Sequence, residues 1–207
     1  MIGLAPEIEI IQKDNTLEVL PWNEKLIPIS DLTFHSGNDN YIAFDRDTKG
    51  EVAYFFIEAF PYKRLKWYEP VKFQSFWVGS IILILLIYII SSAGSKLFVR
   101  NRKGHLIKKL NFSIASLIVL FIALLAFALL TTDPMAFSYG IPLLIKIVLV
   151  LPFIIIPLVL FSIYSLAKAI QLKELKTYAL IYHSIILVVA LFFIPWLMYY
   201  NLIGFNY

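Results

Sequence analysis

The side chains that could move a proton or hold a ligand are few and scattered. The histidines are His35 in a polar turn, His105 in a basic loop and His183 inside an apolar run. A metal centre needs several such ligands brought together at short spacing, so this set predicts no zinc or di-metal site. The chain has no cysteine, which excludes disulfides, thiolate metal sites and a cysteine nucleophile. Lys146 is the one charge well inside an apolar run. A charge at membrane depth is costly and often marks an ion or substrate pathway. If Lys146 served one, Asp133 and Tyr139 are its candidate partners. It also lies near the end of its run, where its long stem can carry the ammonium out to the headgroups. No Gly-rich phosphate loop, dinucleotide motif or internal repeat is visible, and no cofactor is expected.

The elements that must position these groups are mostly apolar. The chain has 207 residues, 60% of them hydrophobic and 15% charged, the composition of a polytopic membrane protein. Residues 76–94, FWVGSIILILLIYIISSAG, carry no charge and are fenced by Lys72 and Lys96. At about 1.5 Å per residue they are long enough to cross a hydrocarbon core. Further spans are predicted at 112–130, at 141–168 and at 178–200. The third belongs to an apolar run over 135–167 that contains Pro142, Pro152 and Pro157. Either of the last two prolines could kink or hinge that helix. The predicted fold is therefore a small antiparallel β-module followed by a four-helix transmembrane bundle.

Charge predicts the direction of the spans. Residues 1–72 hold 8 Lys/Arg against 12 Asp/Glu, and residues 73–207 hold 10 against 2, so the surplus of positive charge belongs to the membrane part. It is not a nucleic-acid footprint. Lys96, Arg100, Arg102, Lys103, Lys108 and Lys109 fall in one connection, and Lys168, Lys173 and Lys176 in another on the same side. The 131–140 connection and the 201–207 tail hold no Lys or Arg. Positive loops stay in the cytoplasm, so the β-module and the C-terminus are expected outside. The outward cluster Lys63, Arg64, Lys66 and Lys72 opposes this and is outnumbered.

Residues 1–60 read as about six short strands. Residues 7–10, EIEI, alternate strictly. Lys13-Asp14-Asn15 and the stretch from His35 to Asn40 are turn signals. A further polar turn over 45–50 closes on Gly50. Residues 52–60 form the longest strand candidate, with Val52, Tyr54 and Phe56 on one face and Ala53, Phe55 and Ile57 on the other. Two apolar faces suggest cover on both sides or a partner on one. A unit this small is marginal alone. The junction over 61–75 is aromatic and basic. Tyr62, Trp67 and Tyr68 there, Trp77 just beyond it, and Trp196, Tyr199 and Tyr200 at the far end are read as membrane-interface anchors. The other reading of the junction is a lipid- or substrate-binding lip.

A folded segment that must cross the membrane ahead of the first span normally needs a signal peptide, and MIGLAPEIEI does not resemble one. The expectation is that the chain is the tail of something longer. The order of strands, then GEVAYFF at 50–56, then FPYKRLKWYE at 60–69, then several spans, resembles the C-terminal region of membrane-tethered bacterial serine hydrolases of the penicillin-binding, class C β-lactamase-like family. That resemblance implies an extracytoplasmic catalytic domain upstream in the same parent chain, a bacterial inner-membrane location and an anchoring role for this region. The family's catalysis uses Ser-x-x-Lys, a Tyr-x-Asn or Ser-x-Asn element and a Lys/His-Thr/Ser-Gly strand. Ser165-Leu166-Ala167-Lys168 and Ser36-Gly37-Asn38 match the first two by spelling, but on opposite sides of the membrane. Lys176-Thr177 is followed by Tyr178, not Gly. No catalytic residue is carried over. The alternative is a complete four-span sensor or assembly protein whose β-module binds a partner.

Overall fold

The computed structural model describes residues 7–13, 16–20, 22–36, 40–57, 60–98, 105–173 and 175–203. The chain divides after Phe76 into two compact units. The first is a curled antiparallel sheet of seven strands: β1 (Glu9–Lys13), β2 (Thr16–Leu20), β3 (Glu24–Pro28), β4 (Thr33–His35), β5 (Tyr41–Arg46), β6 (Val52–Ile57) and β7 (Phe60–Lys63). Each strand pairs with the next in sequence, so the sheet is a simple meander.

Period-two alternation puts one face of every strand inward. Ile10 opposes Val19, Leu17 opposes Leu26, Phe34 opposes Ile42, and Phe44 opposes Phe55. Val19, Leu26, Ile42 and Phe55 are buried, with Ile8, Ile57 and Tyr62 packed against them. An aromatic ladder crosses the last four strands. Ring centroids lie 5.4 Å apart for Phe34–Phe44, 5.3 Å for Phe44–Phe55 and 5.7 Å for Phe55–Tyr62. Such pairs add about 0.5–1.5 kcal/mol each beyond their burial, a useful supplement for so small a core.

The strand expected over 52–60 ends at Ile57, and residues expected in the junction form a seventh strand instead. Of the two faces expected for this segment, that of Phe55 and Ile57 is inward, while Tyr54 is exposed. The turn over 45–50 forms as expected. Asp47 Oδ1 accepts from the N–H groups of Lys49 and Glu51, and Gly50 takes φ 81°, which a side chain would resist. Asp14 and Asn15 lie outside the described residues, as do Gly37, Asn38 and Asp39. The hairpins that flank them are closed by Thr16 Oγ1 donating to the Lys13 carbonyl at 2.8 Å and by Ser36 N–H donating to the Asn40 carbonyl at 2.9 Å.

The rest of the chain is helical: α1 (Val71–Phe98), α2 (His105–Thr131), a 3-10 turn (Pro134–Tyr139), α3 (Leu143–Val148), α4 (Leu151–Gln171) and α5 (Thr177–Tyr199). Counting 143–171 as one span, four of these are long and apolar enough to cross a membrane. They fit a multi-pass membrane protein. The helices run longer than the apolar stretches that announce them. The first starts at Val71, not at 76, and Glu7 Oε1 accepts from the Val71 N–H at 2.5 Å, a carboxylate against the positive end of a helix. Lys108 and Lys109, expected in a loop, lie in the first turns of α2, while Lys96 and Lys168 lie within α1 and α4.

The third span is broken, not kinked. Pro152 has no N–H for the Val148 carbonyl, so α3 stops. Tight bonds from Val150 N–H to Ile147 O (3.2 Å) and Phe153 N–H to Val150 O (3.1 Å) bridge the gap, and Pro152 sits in the first turn of α4, where no donor is required. Pro157 does lie inside α4.

Inside the bundle, α2, α4 and α5 pack closely against one another. Small buried residues, Ala115 and Ala128 on α2, Ala169 on α4 and Ala190 on α5, permit that approach. The α1 backbone stands further off. It reaches the core through Ile81, Leu85 and the large side chains of Trp77 and Tyr88.

Candidate functional site

A ring of polar side chains crosses the bundle interior, contributed by all four spans. From α1 come Tyr88, Ser91 and Ser92, from α2 Asn111, from α4 Ser162, and from α5 Tyr182 and His183. Tyr88, Ser92, Asn111, Ser162 and His183 are buried. Buried polar groups in an apolar setting must find partners, and these find one another.

The chain of contacts is continuous. Ser162 Oγ donates to Asn111 Oδ1 at 2.5 Å. Asn111 Nδ2 donates to the His183 carbonyl at 3.1 Å and lies 3.4 Å from His183 Nδ1. The Tyr88 hydroxyl is 3.2 Å from the same Nδ1. The Tyr182 hydroxyl donates to the Tyr88 carbonyl at 3.3 Å and bonds Ser91 Oγ, with Ser92 Oγ at 3.4 Å. The rings of Tyr88 and Tyr182 stack with centroids 4.8 Å apart. All seven residues lie at a similar level, about 8–15 Å in from the helix ends that carry the basic connections, at 1.5 Å per residue. The network runs sideways across the helices, not along their axes.

The residues singled out from sequence fall elsewhere. Lys146 is exposed on the outer side of α3, not in the interior. Of its expected partners, Asp133 caps the 3-10 turn by accepting from Met135 N–H at 2.9 Å, and Tyr139 is 94% exposed. Tyr62 packs on the sheet core. Trp67 is 78% exposed, edge-on to Tyr68 and Phe73. Trp77, Trp196 and Tyr200 pack on the bundle core, Trp77 edge-on to Phe192 and Trp196 stacked on Phe193, while Tyr199 is exposed. Lys173 follows α4 and Lys176 is the N-cap position of α5. Arg100, Arg102 and Lys103 lie outside the described residues. Ser165 and Lys168 both lie on α4 of the helical unit, whereas Ser36 belongs to the sheet unit. No group of three or more metal-ligating side chains is gathered among the described residues.

Of the network, sequence reasoning singles out only His183. Asn111 escapes it because the apolar run begins one residue later, at Phe112, which assigns Asn111 to the loop. The available signal is an uncharged polar residue within each of four apolar helices.

The architecture, then, is a seven-stranded meander followed by four candidate membrane spans clasped by an internal polar ring. No protein-family model, curated protein or solved structure matches the chain.

Proposed function

We propose that this chain is a membrane-anchoring module that holds its sheet unit at the extracytoplasmic face of a bacterial inner membrane. What it would hold, on the sequence resemblance alone, is a serine hydrolase domain of the penicillin-binding, β-lactamase-like kind. The observation that carries the anchoring role is the form of the polar ring. Its groups satisfy one another at one level, which ties helices together and, among the described residues, draws no polar path from one face to the other. Pathways through membranes string ionisable groups along the normal and leave them facing a cavity. The charge of Lys146 is on the outer surface, where headgroups can take it.

The test uses the absence of native cysteine. Ser30→Cys, in the exposed connection after β3, and Lys173→Cys, beside α5, are labelled in intact cells with a membrane-impermeant maleimide. Labelling of Ser30→Cys alone is the expected result. Labelling of Lys173→Cys alone reverses the topology and removes the proposal.

A second reading, a partner-binding sensor, is favoured by the outer face of the sheet. Ile27, Ile29 and Tyr41 are each more than half exposed there, and exposed apolar patches mark interaction sites. Ile27→Asp with Tyr41→Asp should release a bound protein under that reading and leave anchoring intact.

A further inference from the structure

The orientation of Asn111 follows from its partners. A backbone carbonyl only accepts, so the Asn111 atom facing the His183 carbonyl is the amide nitrogen. The Asn111 oxygen therefore faces Ser162 Oγ, which donates to it. The same amide nitrogen lies against His183 Nδ1, and an amide NH2 cannot accept. An unprotonated Nδ1 suits that approach, and the Tyr88 hydroxyl then donates to it. His183 is the neutral ring with its hydrogen on Nε2.

We infer that His183 makes this ring a proton-sensitive clasp: neutral, its Nδ1 faces donors from α1 and α2 together, and a proton on Nδ1 turns the Asn111 contact repulsive while preserving that to α1, so that Asn111 keeps only its bond to the His183 carbonyl. The two partners respond differently because their chemistry differs. A hydroxyl can rotate and accept, so Tyr88 reverses its bond and gains a charge-assisted one. The Asn111 amide can only donate, so it then meets another donor. Asn111 cannot simply flip, because its oxygen would then face the His183 carbonyl. The groups that bear on the ring are Tyr88 from α1, the neighbouring Tyr182 on α5, Asn111 and the charge of Lys108 from α2, and the uncharged Ser162 from α4 behind Asn111. The consequence is a weaker hold of α5 on α2 at the level of the ring, where the bond from Asn111 to the His183 carbonyl remains.

This inference rests on the ring being a clasp, and the experiment separates the two. Spin labels are placed on the full chain through Leu106→Cys and Tyr178→Cys, both exposed on α2 and α5 near the basic connections. Distances are measured by pulsed EPR in lipid nanodiscs at about pH 8 and about pH 4, well to either side of the ordinary histidine range. In a His35→Gln, His105→Gln background, where His183 is the sole histidine, 15N NMR reads the tautomer in the same discs. The expected result is the Nε2–H tautomer and one narrow distance at high pH, then an imidazolium and a second, longer distance at low pH. A hydrogen on Nδ1 at high pH, a ring still neutral at low pH, or a protonated ring with an unmoved distance each overturns the inference. Asn111→Leu serves as the control. If its distance is long at both pH values while the parent ignores pH, the clasp stands and the proton dependence falls. If its distance matches the parent at both, the clasp itself falls.

Discussion

Replacing Asn111 with Leu measures what the polar ring contributes to the bundle. Leu is of similar size and removes three contacts: to Ser162 Oγ, to the His183 carbonyl and to His183 Nδ1. What matters is what those partners do next. Ser162 can turn its hydroxyl to the carbonyl one turn back in α4. The His183 carbonyl keeps its helical bond from four residues on, and Nδ1 keeps Tyr88. None is left bare, so the cost is the lost bonds without an added desolvation penalty. Interhelical hydrogen bonds in membranes average about 0.6 kcal/mol, with a maximum near 1.7. Two good bonds and one long contact therefore give a loss of about 1–2 kcal/mol. Ser162→Ala, which removes one bond, should cost about 0.5 kcal/mol, and the double variant should be no worse than Asn111→Leu alone, because the shared bond can be lost only once. Reversible unfolding by steric trapping in bicelles provides the assay. A change below about 0.3 kcal/mol for Asn111→Leu, or full additivity in the double variant, would refute the network as drawn.

Other substitutions test other parts of the fold. Phe55→Ala removes the middle rung of the aromatic ladder at a 7% exposed site and should cost about 3–4 kcal/mol. In a unit this small that suffices to unfold the sheet, seen as lost near-UV ellipticity and rapid proteolysis of residues 7–63. Ser36 is wholly buried, and its Oγ has no hydrogen-bond partner among the described residues, so Ser36→Ala should stabilise the sheet by about 1 kcal/mol in denaturant titration, the reverse of the usual effect of a buried truncation. Lys146→Met alters an exposed position outside the helix interior and should shift bundle stability by less than about 0.5 kcal/mol. A larger loss by steric trapping would give Lys146 a role that its place on α3 does not suggest.

Two features are legible in the amino-acid sequence itself. Long uncharged apolar runs announce spans because lipid, unlike water, tolerates a helix that is apolar on every side. Alternation and turn chemistry announce strands, as the bond pattern around Asp47 and Gly50 shows. Boundaries are less legible. Helices extend past their apolar stretches because Lys, His and Asn at the ends can reach polar surroundings, and a boundary drawn at Phe112 leaves Asn111 outside its helix.

Which faces meet is a matter of tertiary packing alone. In a soluble helix the inward stripe betrays itself by hydropathy. Here residues such as Leu83 and Ile87, which face outward, are as apolar as Leu85 and Ile81, which face in. The inward stripes differ in size and hydrogen bonding instead, through Ala115, Ala190, Ser162, Asn111 and His183. Those differences acquire meaning only when four helices pack at one level, and linear spacing does not encode which residues on separate helices share a level. The ring joins Tyr88 to His183 across 95 positions, and the reason is physical: in an apolar interior a buried hydroxyl, amide and imidazole have only one another and nearby backbone carbonyls to bond.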